Sequence, residues 1–226
     1  EQKRIHEDYL RILRYLRFFS QYSKKKHKEN TKRFIKENLK GIKQISSERL
    51  FDEFKKIYKS NLISTLVKDM FCLEILKLIF PQFVNIEKLK DLKNNNVHFD
   101  IIISFLVLDD SDNADYFNYK FNLSNKLKKK IEFLKKIFFN KEQKFQMKEK
   151  NLNKVLYFEG KQSVLDIMDF ERIRNIRNKS KIEKLYQFFS QKNPPVMPLK
   201  ANILMKHYKI PEGKELGEKL KKLEKK

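Results

Sequence analysis

Glycine occurs four times in 226 residues, where ordinary usage of about 7% would supply roughly sixteen. Tight turns, β-bulges and phosphate-cradling loops all draw on glycine's freedom at positive φ. A turn-dense sandwich or barrel is therefore excluded. Nucleotide sites built on G-x-G-x-x-G or G-x-x-x-x-G-K-[ST] are excluded too, since neither motif occurs. What remains is helical periodicity along most of the chain, and the expected class is all-α.

The periodicity predicts one amphipathic helix over 4–20, then a basic stretch from Lys24 to Lys43, then a helix from Ser46 to Tyr58. An apolar helix from Asn61 to Phe80 is stopped by Pro81, and a short one from Ile86 to Lys93 ends in Asn94-Asn95-Asn96. Ile101 to Leu108 suits buried helix or strand; helix is preferred because no partner strand is visible. Asp109 to Asp115 reads as a polar loop. Ser124 caps a helix carrying Ile131, Leu134, Ile137 and Phe138 on one face. Further helices are expected over Val164–Arg177 and Ile182–Gln191. Asn193-Pro194-Pro195 is the clearest hinge, followed by Leu199–Tyr208 and Leu216–Leu223.

The chain carries 52 Lys and Arg against 29 Asp and Glu, a net charge of +23. Such an excess points to a polyanionic partner. Codon bias competes as an explanation, because only nine of the cations are Arg and the chain is also heavy in Asn, Ile, Phe and Tyr. The single cysteine, Cys72, lies in the apolar run Met70-Phe71-Cys72-Leu73, so it reads as core packing and excludes both a disulfide framework and a cysteine-based zinc site. A reducing, cytoplasmic compartment fits. His6, His27, His98 and His207 are scattered with no metal spacing, and no metal ligand is expected in this chain; His6 is expected at the surface. Ile101–Leu108 is too short to span a bilayer, so no membrane is expected. The opening Glu-Gln-Lys-Arg shows no secretory h-region, and its helical pattern without an initiator Met suggests a piece of something longer.

Four of the nine arginines fall in the first 17 positions, and none lies between Arg49 and Arg172. Where lysine serves for generic charge, retained arginine marks places needing a planar multi-donor fork. Ile5, Tyr9, Ile12, Leu13 and Leu16 cluster on one side of the first helix; Arg4, Glu7, Asp8, Arg11 and Arg14 cluster on the other. A solvated face is the plain reading of that polar side. Asp8 and Arg11, three apart, are neighbours on a helix surface. A carboxylate beside a guanidinium can accept from a base's exocyclic amine and donate to the ring nitrogen or carbonyl next to it.

The segment Arg4-Ile5-His6-Glu7-Asp8-Tyr9-Leu10-Arg11-Ile12-Leu13-Arg14-Tyr15-Leu16-Arg17-Phe18 resembles the E-D-x-L-R-x-x-R-x-x-R-F neck helix of class II CCA-adding enzymes (tRNA nucleotidyltransferases) and the related bacterial poly(A) polymerases. Ile45-Ser46-Ser47-Glu48-Arg49-Leu50-Phe51-Asp52-Glu53-Phe54-Lys55-Lys56-Ile57 resembles the family's h-S-x-E-R-h-x-x-E-h-x-K-h block. Near the end, Pro198-Leu199-Lys200-Ala201-Asn202-Ile203-Leu204 and Ile210-Pro211-Glu212-Gly213-Lys214-Glu215-Leu216-Gly217 are similar to a tail pattern of α-proteobacterial members. The tail departs from that pattern at Ala201 and Asn202, where the family has glycine and aspartate, and at Lys206-His207-Tyr208, which replaces a glycine-containing turn.

The resemblance implies an elongated all-α neck (1–60), RNA-binding body (61–192) and tRNA-binding tail (193–226). It implies that Asp8 and Arg11 template the incoming CTP or ATP, with Glu7 orienting the arginine and Arg14 nearby, and that Arg49 and Glu53 brace the neck. A local i, i+4 ion pair is the plain alternative for those last two. It also implies chemistry on a separate N-terminal head with a Gly-Gly-x-x-Arg-Asp loop and two Mg²⁺-binding carboxylates. Nothing here matches that head; Asp110-Ser111-Asp112 only imitates its D-x-D, and a polar inter-helix loop is expected instead. The chain alone is accordingly expected to bind RNA and to transfer nothing.

Ser124–Lys161 holds 12 Lys and 4 Glu, a local excess of +8. Lys126, Lys128, Lys129, Lys130, Lys135 and Lys136 are the expected phosphate contacts, against a solvated helix face. Phe133, Phe138, Phe139 and Phe145 are expected in the core rather than as stacking platforms. The leading expectation is the C-terminal part of an enzyme that adds C, C and A to tRNA 3′ ends. The alternatives are a poly(A) polymerase of the same family, a stand-alone RNA-binding helical module, and a structural bundle whose basicity is genomic. Oligomeric state is not legible.

Overall fold

The computed structural model describes residues 2–23, 25–92, 97–140, 145–175, 179–196, 201–209 and 211–224. Its helices are α1 (Gln2–Glu7), α2 (Arg11–Tyr22), α3 (Glu29–Asn38), α4 (Ser47–Lys59), α5 (Ile63–Lys68), α6 (Met70–Ile79), α7 (Phe99–Val107), α8 (Asn113–Phe121), α9 (Asn125–Phe138), α10 (Glu149–Arg174), α11 (Lys179–Gln191), α12 (Ala201–Tyr208) and α13 (Lys214–Glu224). Two 3₁₀ turns, Leu39–Gln44 and Ile86–Asp91, complete the regular structure, and no strand occurs among the described residues. The class is all-α.

Local chemistry explains where helices start. Ser46 caps α4 by accepting from the Arg49 N–H, and Ser124 caps α9 by accepting from the Leu127 N–H. Asp69 does the same for α6, where its carboxylate accepts from the Cys72 N–H at 2.9 Å. This cap splits the helix expected over Asn61–Phe80 into α5 and α6. A second split falls between α1 and α2, where the helix expected over 4–20 breaks at Asp8–Leu10 and the Leu10 N–H turns to the Asp8 carboxylate, 3.1 Å away. Three helical stretches exceed expectation: α3 lies within the basic run, α8 begins inside the expected polar loop, and α10 starts fifteen residues before Val164. Inside α10, Gly160 takes φ 82°, so the chain kinks there at a conformation open mainly to glycine.

One contiguous core runs from Leu10 to Phe189. Its centre is α7, in which every residue from Ile101 to Val107 is buried, and the helix alternative for that segment holds. Around it α8, α9 and α10 pack on α7, while α10 packs on α11. An aromatic cluster from α4, α8 and the turn after α6 closes one end: Phe54 and Phe83 lie 4.8 Å apart by ring centroid, Phe117 and Phe121 4.4 Å. Phe133, Phe138, Phe139 and Phe145 pack against this core, Phe138 stacking on Phe170 at 4.6 Å. The first helices join it through Ile12, Leu13 and Leu16 of α2, which face α4 and α5. In the tail, α12 packs on α13, with Leu204 and Leu216 buried outside the main core.

Candidate nucleotide and RNA interface

The break between α1 and α2 places Asp8 at the start of a helix rather than in its middle. One carboxylate oxygen is taken by the Leu10 N–H; the other accepts from Arg49 Nη2 at 2.9 Å, with Arg14 Nη1 4.0 Å away. Glu53 is the second acid of the network. Its side chain is fully buried, yet it accepts from Arg17 Nε at 2.7 Å and lies 3.4 Å from Lys56 Nζ and 3.9 Å from Arg14 Nε. Charges therefore alternate along a chain Arg49, Asp8, Arg14, Glu53, Arg17 that stitches the first two helices to α4. Arg49 and Glu53 do not bond each other across one turn of α4; each reaches residues 41 and 36 positions away.

Arg11 stands apart from this network. Its backbone N–H donates to the Asp8 carbonyl at 3.0 Å, but its Nε is buried and meets no acceptor among the described residues. The side-chain partners of Asp8 are thus Arg49 and Arg14, and not its expected neighbour Arg11. Glu7 is exposed beside them. An ionised carboxylate offers about four lone-pair sites, so Asp8 retains acceptor capacity after its contacts with Leu10 and Arg49. Gly41 holds the geometry from behind. A Cβ there would sit 2.1 Å from the Tyr9 ring, so only glycine lets Tyr9, next to Asp8, pack on the turn after α3. Sequence reasoning missed this residue, whose only signal was a lone glycine in a chain that scarcely uses them.

Comparisons with known proteins bear on the same segments. Residues 28–86 match the family model described as "Probable RNA and SrmB- binding site of polymerase A". Over 97 residues the chain is 37% identical to the human mitochondrial CCA tRNA nucleotidyltransferase 1, covering 42% of this chain and 22% of that protein. It is 27% identical to the CCA-adding enzyme of Lactobacillus helveticus, covering 98% of this chain and 56% of that enzyme. The chain is similar to CCA-adding enzymes over nearly its whole length. It spans between a fifth and three fifths of the length of these relatives.

The family model runs from α3 through α6 and so includes α4, with Arg49 and Glu53. The expected phosphate-binding lysines lie on α9 and divide by environment. Lys126, Lys129 and Lys136 are exposed and Lys128 is half-buried. Lys130 instead turns inward to Asp166 at 2.8 Å, and Lys135 bonds Asp115 at 2.9 Å. His6 is exposed, its ring edge-on to Tyr9 and Phe34. Asp110 and Asp112 sit exposed in the loop before α8, where Asp109 accepts from the Ser111 N–H and hydroxyl. No helix among the described residues is long and apolar enough to cross a membrane.

Proposed function

We propose that this chain is the nucleotide-templating and RNA-binding portion of a CCA tRNA nucleotidyltransferase, which adds C, C and A to tRNA 3′ ends from CTP and ATP. The observation that carries this reading is a carboxylate with spare acceptor sites, Asp8, one turn from a guanidinium nitrogen without a partner, Arg11, in a chain aligned to a CCA-adding enzyme over 98% of its length. Cytosine and adenine each present an exocyclic amine beside a ring nitrogen acceptor. Asp8 would accept from the amine and Arg11 would donate to the nitrogen, while Arg49 and Arg14 hold the carboxylate in place. Glu7 and Arg14 flank the base-reading pair. Transfer itself, with Mg²⁺, would belong to residues outside this chain, so the chain alone transfers nothing.

Residues 1–60 would act as neck, 61–192 as body and 193–226 as tail. The exposed lysines of α9 would hold tRNA through its phosphates, and Lys130 would contribute to the fold instead. Charge-assisted hydrogen bonds are worth about 1.5–3 kcal/mol each, which is roughly tenfold or more in selection. In the full-length protein carrying this chain, Asp8→Ala and Arg11→Ala are therefore expected to blur the choice of CTP and ATP over UTP and GTP by that factor and to leave tRNA affinity nearly intact. Equal losses of selectivity and tRNA affinity would overturn the templating role. Binding of tRNA that does not weaken as salt is raised would overturn the phosphate-contact role.

A further inference from the structure

A second cluster lies at the opposite end of α2, away from the base-reading pair. His27, just before α3, is 6% exposed and Cys72, in α6, is fully buried. His27 Nε2 is 3.5 Å from Cys72 Sγ and 3.4 Å from an Asp69 carboxylate oxygen, and all three ligand atoms lie within 4.8 Å of one another. With metal bond lengths of about 2.3 Å to sulfur and 2.0–2.1 Å to nitrogen and oxygen, a tetrahedral site has N···S edges of about 3.5 Å and N···O edges of about 3.3–3.4 Å. Both edges from His27 Nε2 already stand at those separations, and the third lies within 4.8 Å.

We propose that His27, Asp69 and Cys72 bind one divalent cation of the zinc class, with the fourth position open to water on the Asp69 side. The inference is independent of the templating role, and it departs from the expectation, read from residue spacing alone, that the chain holds no metal ligand and no cysteine-based zinc site.

Three features besides the distances favour it. The imidazole is held before any ion arrives: its Nδ1 is hydrogen-bonded to Tyr15 Oη at 2.8 Å, and its ring stacks on Phe19 at 3.7 Å, so Nε2 is the nitrogen turned toward Sγ and the carboxylate. The donor set balances charge, since thiolate and carboxylate together neutralise a 2+ ion in a poorly hydrated site. An entry route exists, because the Asp69 side chain is 39% exposed while the other two ligands are enclosed. On binding, the S–H bond breaks, sulfur donates its electron pair to the metal, and the thiol proton leaves to solvent. The bound ion would tie the segment between α2 and α3 to the α5–α6 junction.

The test uses the chain stripped with a chelator and titrated with Co²⁺ alone, then with Zn²⁺. One equivalent of Co²⁺ should produce a thiolate-to-cobalt charge-transfer band, and saturating Zn²⁺ should raise the melting temperature by about 5 °C. Cys72→Ser should abolish the band. Asp69→Asn, which keeps an oxygen to cap α6 and leaves the buried residues untouched, should weaken Co²⁺ binding at least tenfold at unchanged helix content. Absence of the band at millimolar Co²⁺ would overturn the proposal and leave a buried thiol hydrogen-bonded to an imidazole. Asp69→Asn binding Co²⁺ as tightly as the parent would overturn it as well.

Discussion

Glu53 offers the sharpest test of the network joining the first helices to α4. Its carboxylate is fully buried, and its three cationic partners differ in exposure: Arg17 at 17%, Arg14 at 40% and Lys56 at 59% of the side chain. Breaking a wholly buried ion pair costs about 3–5 kcal/mol. Here Arg14 and Lys56 recover hydration readily, and a Glu53→Gln amide oxygen still accepts from Arg17. The expected loss is therefore that of charge assistance on one short hydrogen bond, about 2–3 kcal/mol. Urea unfolding of the parent, Glu53→Gln, Arg17→Met and the double variant isolates the pair, and the coupling should be about 1–3 kcal/mol. The exposed Arg33–Glu37 pair, 3.9 Å apart with side chains 76% and 62% exposed, is the internal reference; it should couple by no more than about 0.5 kcal/mol. A Glu53–Arg17 coupling as small as the reference would refute the view that this network holds the first helices to α4.

Gly41→Ala drives a methyl group into the Tyr9 ring; displacing the ring should cost about 1–3 kcal/mol in urea unfolding and weaken nucleotide selection through Asp8, whereas a parent-like stability would show that Tyr9 yields freely. Asp169 is pushed up to about 6, first by burial and also by Asp166 and Glu183, against the pull of Arg172 and His98. A raised folded value stabilises at low pH, and that contribution fades as pH climbs from about 4 to about 6. At 1.36 kcal/mol per unit that contribution is about 3 kcal/mol at most, the Asp169 side chain being only 5% exposed. Asp169→Asn should therefore gain on the parent by that amount between pH 4 and 7, then run parallel; a constant gap would contradict the burial argument.

Much of the fold is legible in the amino-acid pattern, and the failures share a cause. The caps at Ser46 and Ser124 follow from side-chain oxygens placed before apolar periodicity, and α7 follows from an unbroken apolar run. The split at Asp69 escaped because Leu66, Val67, Phe71 and Cys72 are buried on both sides of it, so the hydrophobic period continues while the backbone does not. Helix α3 escaped for the opposite reason: Ile35 is its one fully buried residue, and a helix held by so narrow a stripe looks like a charged linker. Around Asp8 the residue types were legible but not their partners. Arg49 meets Asp8 across 41 positions, and His27 meets Cys72 across 45; no local spacing encodes either encounter.

Because a single core extends from Leu10 to Phe189, the opening helices are not a lever that swings on the rest of the molecule. Any recognition near Asp8 and any grip along α9 are separated by a fixed span, as between the jaws of a locked caliper. Under the proposed templating role, a lengthening RNA end would have to be accommodated by the RNA itself or by the α12–α13 pair, whose buried leucines lie beyond that frame.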